Sequence, residues 1–170
     1  MQQVVLVDEK DGEVGVMEKM EAHLKGLLHR AFSVFIFNST GEMLLQQRAI
    51  DKYHSGGLWT NACCSHPLPG EALVKAAERR LREEMGISTA LQKQFDFIYR
   101  ASFDNGLTEY EFDHVLTGLY DGEINPDPDE VASHCFLSIE QIENSLMTEP
   151  ERYTEWFKIA FPRLRNGNAV

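Results

Sequence analysis

The chain has 170 residues, and its 27 Asp and Glu residues outnumber its 16 Lys and Arg residues, which gives a formal net charge of −11. A chain of this length buries roughly two-thirds of the surface that its unfolded form exposes, so it needs no disulfide to support a core. An acidic surface repels the phosphates of nucleic acids and anionic membranes, and no apolar run reaches the roughly 20 residues that cross a bilayer. We therefore expect neither a nucleic-acid partner nor a membrane role.

The cysteines and the N-terminus indicate the compartment. Two of the three cysteines are adjacent, at Cys63 and Cys64, and an odd number cannot form a fully paired disulfide framework. The first residues lack the basic and then apolar layout of a signal peptide. A reducing, cytoplasmic setting follows as an expectation.

The N-terminal third predicts strands around a short helix. The β-branched residues 4–7 predict a strand that ends in a turn at the following Asp and Gly residues, and residues 17–24 have helical composition. The apolar runs 31–37 and 43–48 flank a turn at 38–41, which predicts a β-hairpin of buried strands.

The middle of the chain predicts a loop, a helix and two strands. Residues 55–70 are rich in Gly and Pro and too broken for a long element, and such loops often carry functional sites. Residues 71–85 repeat apolar side chains at helical spacing, with Gly86 where a C-terminal cap belongs. Residues 95–103 and 108–119 predict two strands of an antiparallel pair.

The C-terminal part predicts one more strand and two capped helices. Residues 132–137 predict the strand, and residues 138–141 have the Ser-x-x-Gln form of a capping box. A second box at 148–151 predicts the start of a final helix that carries Trp156. Without an internal repeat or linker, we expect one α/β (α+β) domain over residues 1–170, with a mixed sheet between helices.

Several side chains are typical metal ligands. His23, His29 and His66 lie near other ligand types, and Glu109 and Glu111 share one face of a strand because they are two residues apart. Imidazoles combined with two carboxylates suit an octahedral Mn²⁺ or Mg²⁺ site, or a Zn²⁺ site. Taken singly, each histidine is more often a core or surface residue, and spacing alone does not join the two groups.

The predicted helix adds a charged edge. Arg80 and Glu84 lie one turn apart beside the apolar stripe, where they form either a solvated ion pair or a phosphate site. In the second interpretation, Glu84 holds a divalent ion that bridges phosphate oxygens and Arg80 neutralises them. Arg48 and Lys52 supply further positive charge.

Cys64 is the candidate for proton transfer, since a thiol beside a histidine and nearby cations can have a shifted pKa. A structural cysteine is the alternative, because buried free cysteines commonly serve in packing. Glu111 is the natural partner if both face one cavity. Trp156 is either a core aromatic or a π face for a developing cation.

Seven segments together resemble type 1 isopentenyl diphosphate isomerase, a branch of the Nudix superfamily. They are residues 29–35, 44–48, 59–67, 79–86, 99–100, 109–111 and 154–157. The string Thr-Asn-x-x-Cys-x-His-Pro within 59–67 is highly specific. The resemblance covers nearly the whole chain and implies a Nudix-like mixed sheet between helices.

The chain departs from the Nudix box at two positions. Ser65 stands where the box has its first Gly, and Arg80 stands where it has the Glu of its Arg-Glu pair. The second change removes an acidic group that Nudix hydrolases use to gather metal, so hydrolysis is disfavoured. Similar erosion of the box in the isomerase branch supports that assignment.

The resemblance implies two metal sites and a diphosphate site. The ligands of the first metal, which is Mn²⁺, Mg²⁺ or Zn²⁺, are His23, His29, His66, Glu109 and Glu111. Mg²⁺ lies between Glu84 and the substrate diphosphate, with help from the backbone carbonyl of Cys64. The implied diphosphate contacts are Lys19, Arg48, Lys52, Ser65 and Arg80.

The implied reaction moves a double bond through a carbocation. Glu111, with Tyr99 nearby, delivers a proton to the terminal carbon, and Cys64 as thiolate removes one from the other face. Trp156 stabilises the cation and seals the site. Cys64 is chosen over Cys63 because only Cys64 fits the Cys-x-His-Pro pattern, and neighbouring side chains of an extended segment point to opposite sides.

The leading hypothesis is therefore an isomerase that converts isopentenyl diphosphate to dimethylallyl diphosphate in isoprenoid synthesis. Its partner is a small prenyl diphosphate, and the chain is expected to be a monomer or weak homodimer. The alternatives are a Nudix hydrolase of a nucleoside or prenyl diphosphate, and an inactive metal- or phosphate-binding regulator on the same fold.

Overall fold

Nine strands form one mixed sheet with helices on both faces in the computed structural model, which describes residues 1–167. The strands are β1 (Gln3–Val7), β2 (Glu13–Glu18), β3 (His29–Phe37), β4 (Met43–Arg48), β5 (Trp59–Thr60), β6 (Cys63–Ser65), β7 (Gln92–Ser102), β8 (Thr108–Leu119) and β9 (Val131–Leu137). The helices are α1 (Lys19–Lys25), α2 (Leu73–Met85), α3 (Ile139–Thr148) and α4 (Glu155–Asn166). This confirms the α/β fold class. The last three residues of the domain expected over 1–170 lie outside the described residues.

The central strand β3 is buried on both faces, and its alternating side chains divide the core in two. Val34 and Ile36 pack with Leu81 and the rest of the apolar stripe of α2. Phe35 and Phe37 point the other way, into a cluster with α3 and α4. Because side chains alternate along a strand, one apolar run serves both layers.

The predicted hairpin of residues 31–37 and 43–48 is confirmed in its two strands and in their antiparallel sense, but the strands pair only next to the turn. Between β3 and β4 the ladder holds a single residue pair, Phe37 with Met43. Beyond it β3 pairs with β6 and in parallel with β8, whereas β4 pairs with β9 and β5. A strand that is buried on both faces has no polar face that specifies its register or its neighbouring strand. The further partners of β3 and β4 therefore depend on strands that are distant in sequence.

The helix predicted over residues 17–24 begins two residues later than expected. The preceding segment forms the strand β2, which pairs antiparallel with β1. Glu18 then caps α1, with its carboxylate accepting the backbone N–H of Glu21 at 2.9 Å. The strand is short, contains Gly15 and leaves Val14 and Val16 exposed, so its pattern is weak.

The second capping box is also wrong. Thr148 ends α3, where its hydroxyl donates to the carbonyl of Asn144 at 3.0 Å. A 3₁₀ turn (Pro150–Arg152) follows, and Thr154 is the N-cap of α4. Proline favours the first position of a helical turn, so Pro150 starts a separate turn five residues before α4.

The other predicted elements are confirmed, with small shifts of their ends. Strands β7 and β8 form an antiparallel pair, and Gly86 ends α2 in the left-handed region at φ 68°. Both hydrogen bonds of the capping box at Ser138 are formed. The loop predicted over 55–70 contains the short strands β5 and β6. Among the described residues, every helix is too short or too polar to span a membrane.

Candidate active site

Strand register brings the first group of site residues together around Glu111. In the parallel pair of β3 and β8, His29 lies opposite Glu111. In the antiparallel pair of β7 and β8, Tyr99 lies opposite the same residue. Glu109 and Glu111 are both buried on one face of β8, as the i, i+2 spacing predicts.

The buried cluster around Glu109 has the composition of a metal site. One ligand atom from each of four residues lies within 4.8 Å of the others, and these residues are His23, His29, His66 and Glu109. His66 also contacts Glu111, with 2.7 Å between Nε2 and Oε2. The structure therefore assembles all five side chains that were predicted as ligands of the first metal.

Hydrogen bonds fix the tautomers of two of these histidines. Nδ1 of His23 lies 2.6 Å from the carbonyl of Lys19, and Nδ1 of His29 lies 2.9 Å from the carbonyl of Leu27. A carbonyl only accepts, so each Nδ1 is the donor. Nε2 of each ring then points into the cluster. In His23 it donates to Oε1 of Glu109 at 2.7 Å, and loss of that proton would leave the lone pair that a metal ion binds.

Two buried atoms in the cluster have no hydrogen-bond partner within the described residues. They are Nε2 of His29 and Oε2 of Glu109. A buried polar atom without a partner costs about 1–3 kcal/mol, and more when the group is charged. Three imidazoles and two carboxylates are also suitable donors for Mn²⁺, Mg²⁺ or Zn²⁺, so the site fits a metal ion.

Both carboxylates of the cluster are held in the ionised form. Burial raises the pKa of Glu109, but hydrogen bonds from His23 and His54 outweigh it and bring that pKa well below its usual value. The pKa of Glu111 is likewise lowered, because His29 and His66 outweigh burial and the charge of Glu109. Ionised carboxylates are the form that binds a cation.

Sequence reasoning missed His54, which is 6% exposed and donates from Nε2 to Oε1 of Glu109. Its ring stacks on Phe103 with centroids 4.7 Å apart and meets Trp156 edge-on at 5.9 Å. His54 lies one residue before the Gly-rich loop predicted over residues 55–70, and its closeness to that loop was the available signal.

The two adjacent cysteines point to opposite sides of β6, as expected for an extended segment. The Cys63 thiol is fully buried and donates to Oε2 of Glu84 at 2.6 Å. Cys64 instead lines a small cavity together with Glu111 and Trp156. The choice of Cys64 as the cavity thiol therefore agrees with the geometry.

The thiolate form expected for Cys64 is not favoured. Burial, reinforced by the negative charge of Asp113, raises the pKa of the Cys64 thiol to about 12. The thiol therefore carries its proton at neutral pH while Glu111 is ionised. In this state the thiol has a proton to donate and the carboxylate can accept one.

A buried polar chain behind Cys64 was also missed. The hydroxyl of Ser33 lies 3.8 Å from Sγ of Cys64 and donates to Oδ2 of Asp113 at 2.8 Å. Burial raises the pKa of Asp113 well above its usual value. Asp113 continues the alternation of Glu109 and Glu111 along β8, so its position on the same face could be inferred from sequence.

Trp156 and Tyr99 complete the cavity side of the site. The indole Nε1–H of Trp156 donates to Sγ of Cys64 at 2.9 Å, and the guanidinium of Arg48 lies 5.3 Å from the ring centroid. The hydroxyl of Tyr99 donates to Oε1 of Glu111. Both aromatic residues also belong to the core, which supports the core interpretation of Trp156.

A second, polar pocket adjoins this cavity and shares five lining residues with it, which are Arg48, Tyr53, Cys64, Ser65 and His66. It contains every residue that was predicted to contact a diphosphate, together with Glu84. These residues are Lys19, Arg48, Lys52, Ser65, Arg80 and Glu84. The predicted charged edge of α2 is confirmed, with Nη2 of Arg80 lying 3.6 Å from Oε1 of Glu84.

The fold places the chain among Nudix proteins. A sequence profile described as "NUDIX domain" matches residues 27–157. A crystal structure from Deinococcus radiodurans superposes with a TM-score of 0.80 at 19% identity, covering 95% of this chain and 98% of that one. The MutT protein of Methanosarcina mazei gives 0.68 at 20% identity, covering 84% and 96%. At these identities the structures show a common fold.

Curated relatives narrow the family further. The isopentenyl-diphosphate Delta-isomerase of Pectobacterium atrosepticum is 55% identical over 162 residues, covering 95% of this chain and 90% of that protein. The corresponding protein of Burkholderia multivorans is 48% identical, covering 95% and 92%. The chain belongs to the isopentenyl-diphosphate Delta-isomerase family of Nudix-domain proteins.

Proposed function

We propose that this protein interconverts isopentenyl diphosphate and dimethylallyl diphosphate. The observation that carries the proposal is the junction of two compartments at Arg48, Cys64 and Ser65. One compartment holds a thiol, a carboxylate and an indole, and the other holds a group of cations. A short prenyl diphosphate has the matching division into an alkenyl end and a charged end.

The polar pocket serves as the binding handle for the diphosphate. Lysine and arginine side chains there neutralise phosphate oxygens through charge-assisted hydrogen bonds, and Ser65 adds a hydroxyl. Glu84 is 5% exposed and faces the same pocket, so it is the residue that would hold Mg²⁺ beside the diphosphate. The Cys64 carbonyl is proposed as a second ligand.

The histidine and glutamate cluster would hold the first metal, for which Mn²⁺, Mg²⁺ and Zn²⁺ are the candidates. When bound, this ion would supply a fixed positive charge that orients Glu111 and keeps it ionised. Tyr99 donates its hydroxyl proton toward the same carboxylate. His54 positions Glu109 from the other side.

The reaction moves one proton onto the substrate and another off it. Protonation of the terminal alkene carbon forms a C–H bond and leaves a tertiary cation. A proton is then lost from the carbon that lies between the cationic centre and the carbon bearing the diphosphate oxygen, and this loss forms the new double bond. Cys64 and Glu111 are the two carriers, and the resting state, with a neutral thiol and a carboxylate, assigns donation to Cys64 and acceptance to Glu111. Their roles exchange in the reverse direction.

The cationic intermediate needs a dry, electron-rich surrounding, because water would trap it as an alcohol. Trp156 is 3% exposed and lines the cavity beside Cys64. A cation over a desolvated indole gains about 2 kcal/mol, which is more than tenfold in rate. The hydrogen bond from Nε1 to the Cys64 sulfur orients the ring.

The remaining parts of the proposal concern the setting of the protein. We propose that residues 1–170 act as one isomerase domain in the cytoplasm, as a monomer or weak homodimer. The hydrolase alternative is disfavoured by Arg80, whose guanidinium lies in the pocket where Nudix hydrolases have a carboxylate.

Proton NMR of the purified protein with isopentenyl diphosphate, Mg²⁺ and D₂O tests the function. We expect dimethylallyl diphosphate carrying deuterium from the wild type and from Cys135→Ala, whose thiol lies on β9 outside the site. Cys64→Ala should abolish the reaction. Release of phosphate or pyrophosphate would favour the hydrolase, and ligand binding without turnover would favour the regulator. Loss of isomerisation in Cys63→Ala but not in Cys64→Ala would reverse the cysteine assignment.

A further inference from the structure

The diphosphate pocket contains a carboxylate that the proposed reaction does not use. Glu130 lines the pocket beside Glu84, just before β9. Its Oε2 accepts from Nζ of Lys52, and its Oε1 lies 3.6 Å from Nη2 of Arg80. The same Arg80 nitrogen lies 3.6 Å from Glu84. The two acids therefore compete with a diphosphate for the cations that would bind it.

The backbone holds Glu130 in this position. Its carbonyl accepts the N–H of Ala49 at 3.0 Å, next to Arg48, and its own N–H donates to the carbonyl of Asp127 at 3.0 Å. The side chain is 25% exposed. Burial raises the pKa of Glu130, but the hydrogen bond from Lys52 and the positive charges of Lys52, Arg80 and Arg48 together lower that pKa, so the group is ionised.

The charges of the pocket can be compared with those of its ligand. Four positive side chains line it, and with Glu84 and Glu130 ionised the surplus is two positive charges. The four are Lys19, Arg48, Lys52 and Arg80. A free diphosphate ester carries about three negative charges near neutral pH, and one bound divalent cation reduces this to about one.

We propose that Glu130 makes this pocket select the metal complex of a diphosphate over the free diphosphate. The inference rests on the proposed function in taking a diphosphate as the ligand. A free diphosphate has to displace Glu130 from Lys52 and Arg80 and remain beside two carboxylates. A divalent cation that arrives with the diphosphate offsets those carboxylates. Glu130 is thus a specificity-determining residue, and in the empty pocket it keeps neighbouring cations from repelling one another.

Calorimetric titration with inorganic pyrophosphate tests this selection, in buffer that contains either Mg²⁺ or EDTA. The measured quantity is the dissociation constant in EDTA divided by the dissociation constant in Mg²⁺. We expect Glu130→Gln to lower this ratio about fivefold or more, which is the factor that one unit charge at 4 Å contributes even in water. The change should come mainly from tighter binding in EDTA. The matched control is Asp129→Asn, which removes the same charge from the exposed neighbouring residue and should leave the ratio unchanged.

Mg²⁺ that enters the histidine and glutamate cluster affects the variant and the wild type alike, so it cancels in the comparison. An equal ratio in Glu130→Gln and the wild type would overturn the proposal, as would equal changes in both variants. Thermal melting checks the fold, and Glu130→Ser carries the same test if the glutamine variant does not fold. Pyrophosphate binding requires no turnover, so failure of the NMR assay with an intact ratio would contradict the proposed function alone.

Discussion

Metal binding at the histidine and glutamate cluster should govern the thermal stability of this protein. Burial leaves Nε2 of His29 and Oε2 of Glu109 without partners, and a cation that contacts both removes that cost. A ligand at 1,000 times its dissociation constant stabilises the native state by about 4.1 kcal/mol. For a chain of this size, each kcal/mol moves the melting temperature by roughly 2–4 °C, so the expected increase is roughly 8–16 °C.

Differential scanning fluorimetry of metal-free protein, titrated separately with Mn²⁺, Zn²⁺ and Mg²⁺, measures this increase. Glu109→Gln keeps the shape of the side chain but removes its charge, so it should lose most of the increase. Glu123→Gln removes an exposed charge in the loop before β9 and is the control. The reasoning is refuted if metal leaves the melting temperature unchanged, or if Glu109→Gln responds to metal as the wild type does.

The same increase should depend on pH with a definite sign. Burial lowers the pKa of His23, but the hydrogen bond with Glu109, the charge of Glu109 and the hydrogen bond with the Lys19 carbonyl together raise that pKa above the usual value. Protonated imidazole cannot bind a metal, so the metal-dependent part of the stability is present at high pH. Because the pKa is raised, the loss should begin above pH 6.5 as the pH falls and continue below it. An increase that stays constant down to pH 5 would contradict His23 as a ligand.

Three further predictions test single side chains. Tyr99→Phe removes the hydroxyl that donates to Glu111. A hydrogen bond to a charged group is worth about 1.5–3 kcal/mol, so we expect the isomerisation rate to fall roughly 10- to 150-fold. Iodoacetamide should alkylate Cys64 slowly at pH 8, with a rate that increases about tenfold per pH unit up to pH 10, since its pKa is about 12. Leu81→Ala should lower the free energy of unfolding in urea by about 2–5 kcal/mol, because Leu81 is fully buried on the apolar face of α2.

Each of these has a result that would contradict it. A Tyr99→Phe variant with the wild-type rate would mean that the hydroxyl does not act on Glu111 in the loaded site. Mass spectrometry of the Cys64 peptide measures the alkylation rate. A rate that levels off near pH 8 would mean that the thiolate is already formed. A Leu81→Ala variant as stable as the wild type would place Leu81 outside the core, and Leu24→Ala, at an exposed residue, is its control.

The parts of the fold that could be predicted from sequence are those with a local cause. The apolar stripe and Gly86 defined α2, and the Ser138 box defined the start of α3, because caps and periodicity act within a few residues. The long-range partners of β3 and β4 could not be predicted in this way. These partners lie up to about ninety residues away in β8 and β9, and no local signal in either strand specifies them.

The same distinction between local and long-range causes applies to the site. The sequence by itself determined which side chains have metal, thiol and phosphate chemistry, and the i, i+2 spacing determined that Glu109 and Glu111 share a face. Only the tertiary structure decided that His29 and Tyr99 lie on either side of Glu111, because parallel and antiparallel register has no local signal. It also decided that the Cys64 thiol is neutral, since its pKa depends on burial and on charges from other strands.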